Sequence, residues 1–72
     1  MNTDIELLKE FGLKVQKRRK KLGISQEELA FRAGFHRTYI GMIERAERNI
    51  TLSNIKRLAD ALQINIKDLF DK

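Results

Sequence analysis

A chain of 72 residues can bury one small core and has room for a single domain, not for a separate ligand-sensing unit. It has no cysteine, which excludes disulfides and thiolate metal sites, and one histidine, too few for the three or four ligands that zinc takes. The formal charge is +5 and unevenly placed: residues 14–57 hold twelve Lys or Arg against four Asp or Glu, while both flanks are weakly acidic. That distribution suits a polyanionic partner, although charge alone fits an ordinary basic surface equally well. There is no apolar run of about 18 residues, so no membrane-spanning helix is expected. The opening Met-Asn-Thr-Asp lacks the basic and apolar pattern of a signal peptide, so a cytoplasmic protein is expected.

The first predicted helix runs from Asp4 to about Leu22, with Leu8, Phe11, Val15 and Leu22 at helical spacing and one gap at Arg18–Arg19. Asp4, Glu6 and Glu10 lie near its positive end, and six of the eight residues from Lys14 to Lys21 are basic at its negative end, both favourable to the macrodipole. The basic cluster fits a solvated helix end as well as it fits phosphates.

Residues 25–45 then predict two short helices joined by a tight turn. Ser25 is a good N-cap with Glu28 at capping-box spacing, and Ile24 and Leu29 sit where a hydrophobic staple forms. The helix runs from Gln26 to about Ala33, and Gly34 suits the left-handed position that ends it. The next helix follows His36, an indifferent cap, and runs from Arg37 to about Arg45. At 100° per residue Ile40 and Ile43 mark its buried side, flanked by Tyr39 and Glu44. Arg37, Thr38, Gly41, Met42 and Arg45 fall opposite. Gly41 costs roughly 1 kcal/mol against Ala in mid-helix; a bare position there lets a helix approach a surface closely, as a helix in a DNA major groove must.

A polar loop, Arg45 to Thr51, leads to a helix from Leu52 to Leu62, capped by Thr51, with Leu52, Ile55, Leu58, Ala59 and Leu62 on its core face. Asn65 caps a last short helix over about 65–70. No stretch alternates strongly enough for a strand, and the absence of proline with several caps favours an all-α bundle of five helices.

The segments Gly23-Ile-Ser-Gln-Glu-Glu-Leu-Ala, Ala33-Gly34 and Ile40-x-x-Ile-Glu44 resemble the helix-turn-helix family of Cro and C1-type phage repressors. The run from His36 to Leu52 is similar to one branch of it, the controller proteins of bacterial restriction–modification systems. The resemblance covers about residues 8–70 and departs from the wider family at Ile50, where proline is common. It implies a compact, lambda-repressor-like five-helix bundle and a buried ion pair between Arg19 and Glu44. It also implies a role for Gln26 in clamping the DNA backbone, and contacts from Arg48 and Asn49 to phosphates or adjacent bases.

The residues themselves suit those roles. The free N–H groups and side-chain amide at Gln26 fit a phosphate oxygen. Arg37 has the fork geometry for guanine, and Thr38 beside it offers a methyl or a hydroxyl to a base edge. Met42 and Arg45 lie on the same face. His36 is a phosphate donor or a plain cap; Tyr39 either packs at the core margin or reaches the DNA backbone. The residues assigned to base contact are therefore Arg37, Thr38, Met42 and Arg48, and those assigned to the DNA backbone are Gln26, His36, Tyr39, Arg45 and Asn49.

One recognition helix reads too few base pairs to find a genomic site alone, so a symmetric homodimer on a pseudo-palindrome is expected. Ile64, Ile66, Leu69 and Phe70, with Ile50, are the expected dimer surface. The resemblance implies a regulator that activates and represses its own and an endonuclease gene, with two dimers on DNA and contact to RNA polymerase. A phage-type repressor or toxin–antitoxin regulator is the alternative, and an RNA-binding or protein-interaction module on the same fold is the other class. No catalytic constellation, metal site or cofactor motif is present to suggest an enzyme.

Overall fold

The computed structural model describes residues 5–71. Four α-helices span Ile5–Lys21 (α1), Gln26–Ala33 (α2), Arg37–Glu44 (α3) and Leu52–Ala61 (α4), followed by a 3₁₀ turn at Ile66–Leu69. The all-α expectation holds, with one correction: the fifth helix is only this single turn. Asp68 N–H bonds Asn65 O and Phe70 N–H bonds Lys67 O, both at 3.0 Å; these are the i→i+3 bonds that short segments favour. The expected start of the first helix at Asp4 lies outside the described residues.

Each helix boundary has a local cause. Ser25 Oγ accepts from Glu28 N–H at 3.0 Å, Thr51 Oγ1 from Asn54 N–H at 3.2 Å, and His36 Nδ1 from Thr38 N–H at 3.1 Å. His36 is thus a working cap. All four α-helices end alike, in a doubly bonded reversal through a left-handed residue. After α2, Gly34 (φ 78°) lets Phe35 N–H reach Ala30 O at 2.8 Å. After α3, Ala46 (φ 61°) takes that position: Ala46 N–H bonds Ile43 O at 3.1 Å and Glu47 N–H bonds Met42 O at 2.8 Å. Gln63 (φ 63°) does the same after α4. An L-residue in this conformation costs about 1–2 kcal/mol, offset here by the carbonyls it satisfies.

The core gathers Phe11 and Val15 of α1, Leu29 of α2, Ile40 and Ile43 of α3, Leu58 of α4, and Leu62 and Leu69 beyond it. Each such side chain contributes roughly 1.5–3 kcal/mol by leaving water. The stripe expected on α4 holds from Ile55 onward but not at Leu52, which is 72% exposed. As the first helical residue after the cap, Leu52 precedes the turn that packs. The gap in the α1 stripe is filled by Arg19, buried between Val15 and Leu22.

Two features seat α3 on this scaffold, and a third braces the scaffold itself. Gly12 brings α1 against its end: a Cβ there would stand 2.6 Å from Ile43 O and 2.8 Å from Glu44 O. Arg57 of α4 donates to Ala33 O (3.1 Å) and Gly34 O (2.8 Å), and lies 4.2 Å over the Phe35 ring, so it clamps the α2–α3 turn. Arg18 donates from Nε to Leu62 O at 2.9 Å, tying α1 to the end of α4. Among the described residues no helix is long and apolar enough to cross a membrane.

Candidate nucleic-acid interface

The expected Arg19–Glu44 pair is present and bidentate, with Nε–Oε2 at 2.7 Å and Nη2–Oε1 at 3.1 Å. The side chains are 10% and 1% exposed. Arg19 Nη1 also donates to Ile24 O at 2.9 Å, just before α2, and Gln26 Nε2 donates to Glu44 Oε1 at 3.0 Å. Glu44 is therefore the point at which α1, the start of α2 and the end of α3 are joined. Gln26 differs from its expected use in one respect. Its amide donates to Glu44 and its carbonyl oxygen stands 3.6 Å from where a Gly41 Cβ would be, while the backbone N–H of Glu28 in the same turn is taken by Ser25 Oγ.

That arrangement sets α3 beside the N-terminus of α2 across a cleft of about 530 Å³, lined by Gln26, Arg37, Thr38, Gly41 and Arg45 among others. Arg37 and Thr38 are exposed at the start of α3, and Met42 is half-buried further along. Gly41 is corrected: it is not bare but buried, because the Arg45 and Gln26 side chains lie over it, with Arg45 Nη1 3.0 Å from where a Cβ would stand.

Around this face the remaining residues are poised in specific ways. Because His36 Nδ1 accepts from the backbone, its proton sits on Nε2, on an exposed ring. Tyr39 is half-buried, edge-on to Phe35 at 4.9 Å; its hydroxyl accepts from Asn54 Nδ2 at 3.1 Å and keeps its own proton free to donate. The ring thus packs at the core margin, one of the two expectations for Tyr39. Arg48 lies 5.4 Å over the Tyr39 ring, and Asn49 follows it, exposed. Arg45 is paired with Glu47 through Nε–Oε2 at 3.0 Å and Nη2–Oε1 at 3.1 Å. These bonds hold the Glu47 carboxyl below its ordinary range and raise Arg45. Sequence reasoning missed Glu47, Asn54 and Arg57, since each reads as a surface residue until the fold brings its partner near.

The expected dimer surface divides. Leu69 is corrected: at 1% exposure it belongs to the monomer core. A 3₁₀ turn advances about 120° per residue instead of 100°, which changes the face on which it falls. Ile50, Ile64 and Ile66 are half-buried against the core, and Phe70 is 43% exposed, stacked on Phe11 at 5.4 Å.

A short helix with an arginine-tipped outer face, set beside the open N-terminus of its neighbour, defines a helix-turn-helix DNA-binding regulator. The helix-turn-helix family model matches residues 15–69, and the chain belongs to that family. Within it the chain is closely related to the restriction–modification controller proteins. It is 49% identical over 72 residues to control protein C.BamHI of Bacillus amyloliquefaciens, covering 99% of this chain and 86% of that one. It is 39% identical over 61 residues to control protein C.MunI of a Mycoplasma species, covering 83% and 82%. The crystal structure of the restriction–modification controller protein C.AhdI from Aeromonas hydrophila superposes with a TM-score of 0.86 at 46% identity, covering 88% of this chain and 96% of that one.

Proposed function

We propose that the protein is the controller of a restriction–modification system, a single DNA-binding domain that acts as a homodimer on a pseudo-palindromic operator beside its own gene. In this reading α3 enters the major groove. Arg37 and Thr38 read base edges, with Met42 and Arg48 extending the contact, while the start of α2 at Gln26, His36, Tyr39, Arg45 and Asn49 hold the backbone. The observation that carries it is the exposure of Arg37 and Thr38 on the same cleft as the N-terminus of α2, so that one approach serves both reading and gripping. The relationship to proteins whose names give a control role supports the regulatory part. Two dimers side by side, contact with RNA polymerase, and activation followed by repression of the controller and endonuclease genes complete the proposal. Its chemistry is binding, not catalysis.

Ile64, Ile66 and Phe70, with Ile50, form the dimer surface in this proposal, on the opposite duty from α3. Footprinting the DNA upstream of the protein's own coding sequence tests the assignment. Paired protected half-sites about one helical turn apart are the expected result; uniform or absent protection contradicts it.

A further inference from the structure

Arg45 ends α3 with a long, exposed side chain, which free in solution would sample many rotamers and attract any phosphate. Here it is not free. Glu47 takes its Nε and Nη2 edge, at 3.0 and 3.1 Å, and the guanidinium is laid over Gly41. Nη1 makes no hydrogen bond among the described residues, and it sits in the cleft shared with Arg37 and Thr38. The carboxylate that holds it is itself held: Glu47 N–H is bonded to Met42 O at 2.8 Å through the left-handed turn at Ala46. Gly41 is thus the seat of the guanidinium, and the turn after α3 carries the fitting that fixes its direction.

We propose that Glu47 is a positioning residue for Arg45, fixing one edge of the guanidinium so that the other meets a backbone phosphate only in the register that base reading by α3 sets, and so raising preference for the operator over other duplexes. The proposal rests on the reading of α3 as the helix in the groove. Its physical basis is twofold. A carboxylate beside the arginine cancels much of the sequence-independent attraction to phosphates, which depends on net charge. The directional hydrogen bonds of Nη1 remain, and the side chain arrives already ordered.

The test compares affinity for a wild-type-selected operator with affinity for a random duplex of equal length, across a salt series. Glu47→Gln should lower the operator-to-random ratio about two- to tenfold, the effect of leaving one long side chain to be ordered on binding. Random-duplex binding itself should tighten, with a salt slope steeper by about one ion. Glu47→Asp, which keeps the charge but shortens the reach, should lower the ratio without changing that slope. In an Arg45→Ala background Glu47→Gln should leave the ratio where it stands. An unchanged ratio in both single variants, or an equal fall without Arg45, overturns the positioning role while leaving operator recognition intact. A wild-type protein that does not distinguish operator from random duplex overturns both readings together.

Discussion

Breaking the Arg19–Glu44 pair should separate what it does for stability from what it does for binding. Glu44 is 1% exposed in its side chain and takes three hydrogen bonds, two from Arg19 and one from Gln26. Arg19→Met removes two of them and leaves a buried carboxylate with one neutral partner. Stranding a buried charge in this way costs roughly 3–5 kcal/mol. A domain of this length has only about 4–11 kcal/mol in total, so the loss takes about a quarter of it or more and lowers Tm by about 12–40 °C. The double variant Arg19→Met with Glu44→Leu removes both charges and should recover most of the stability, because an apolar pair of similar volume fits the same site. It also releases Gln26, so operator binding should stay weak even where the fold is restored. Urea denaturation followed by circular dichroism, at one fixed protein concentration because association would shift the midpoint, measures the first effect. Titration of operator DNA measures the second. A single variant within about 1 kcal/mol of wild type, or a double variant no more stable than the worse single, would refute the reasoning.

Three further outcomes follow from other contacts. Gly12→Ala drives a Cβ into two backbone carbonyls of α3; the net loss should reach about 2 kcal/mol or more despite the better helix propensity of alanine, read from the urea midpoint. Ala46→Gly relieves the left-handed strain at the end of α3 and should gain roughly 0.5–1 kcal/mol, part of the relief being offset by the freer unfolded chain. A loss there would mean the turn is held differently. Phe70→Ser, at a side chain 43% exposed, should weaken self-association in sedimentation equilibrium, whereas unchanged association would move the dimer surface elsewhere.

Much of the fold is legible in the sequence because it is encoded locally. Ser25 and Thr51 cap, Gly34 reverses, and the spacing of Ile40 and Ile43 gives α3 its buried side. What escapes is whatever depends on a partner distant in the chain. Arg57 and Arg18 are surface charges in the sequence but cap carbonyls 24 and 44 residues away. Gly12 is only a poor helix former until α3 lies against it. The ends of α3 and α4 carry no glycine, since Ala46 and Gln63 accept the strained conformation themselves. The candidate interface was similarly half-visible. The outward arginine and threonine of α3 follow from periodicity, whereas the Arg19–Glu44 pairing came from the family resemblance, and Arg45 over Gly41 follows from neither. Leu69 misled because it stands in a run of large apolar groups denser than one short helix would bury, and only the packing of the 3₁₀ turn shows that it goes inward.

The central claim is that α3, opened by Arg37 and backed by the start of α2, reads duplex sequence. Selection of bound duplexes from a random pool tests it most directly, carried out with wild type and with Arg37→Ala. Wild type should enrich a palindrome with half-sites about one helical turn apart. Arg37→Ala should lose preference at one position in each half, equivalent to about 1–3 kcal/mol, while keeping the rest of the motif. A pool that stays random with wild type, or a motif unchanged at every position by Arg37→Ala, would contradict the account.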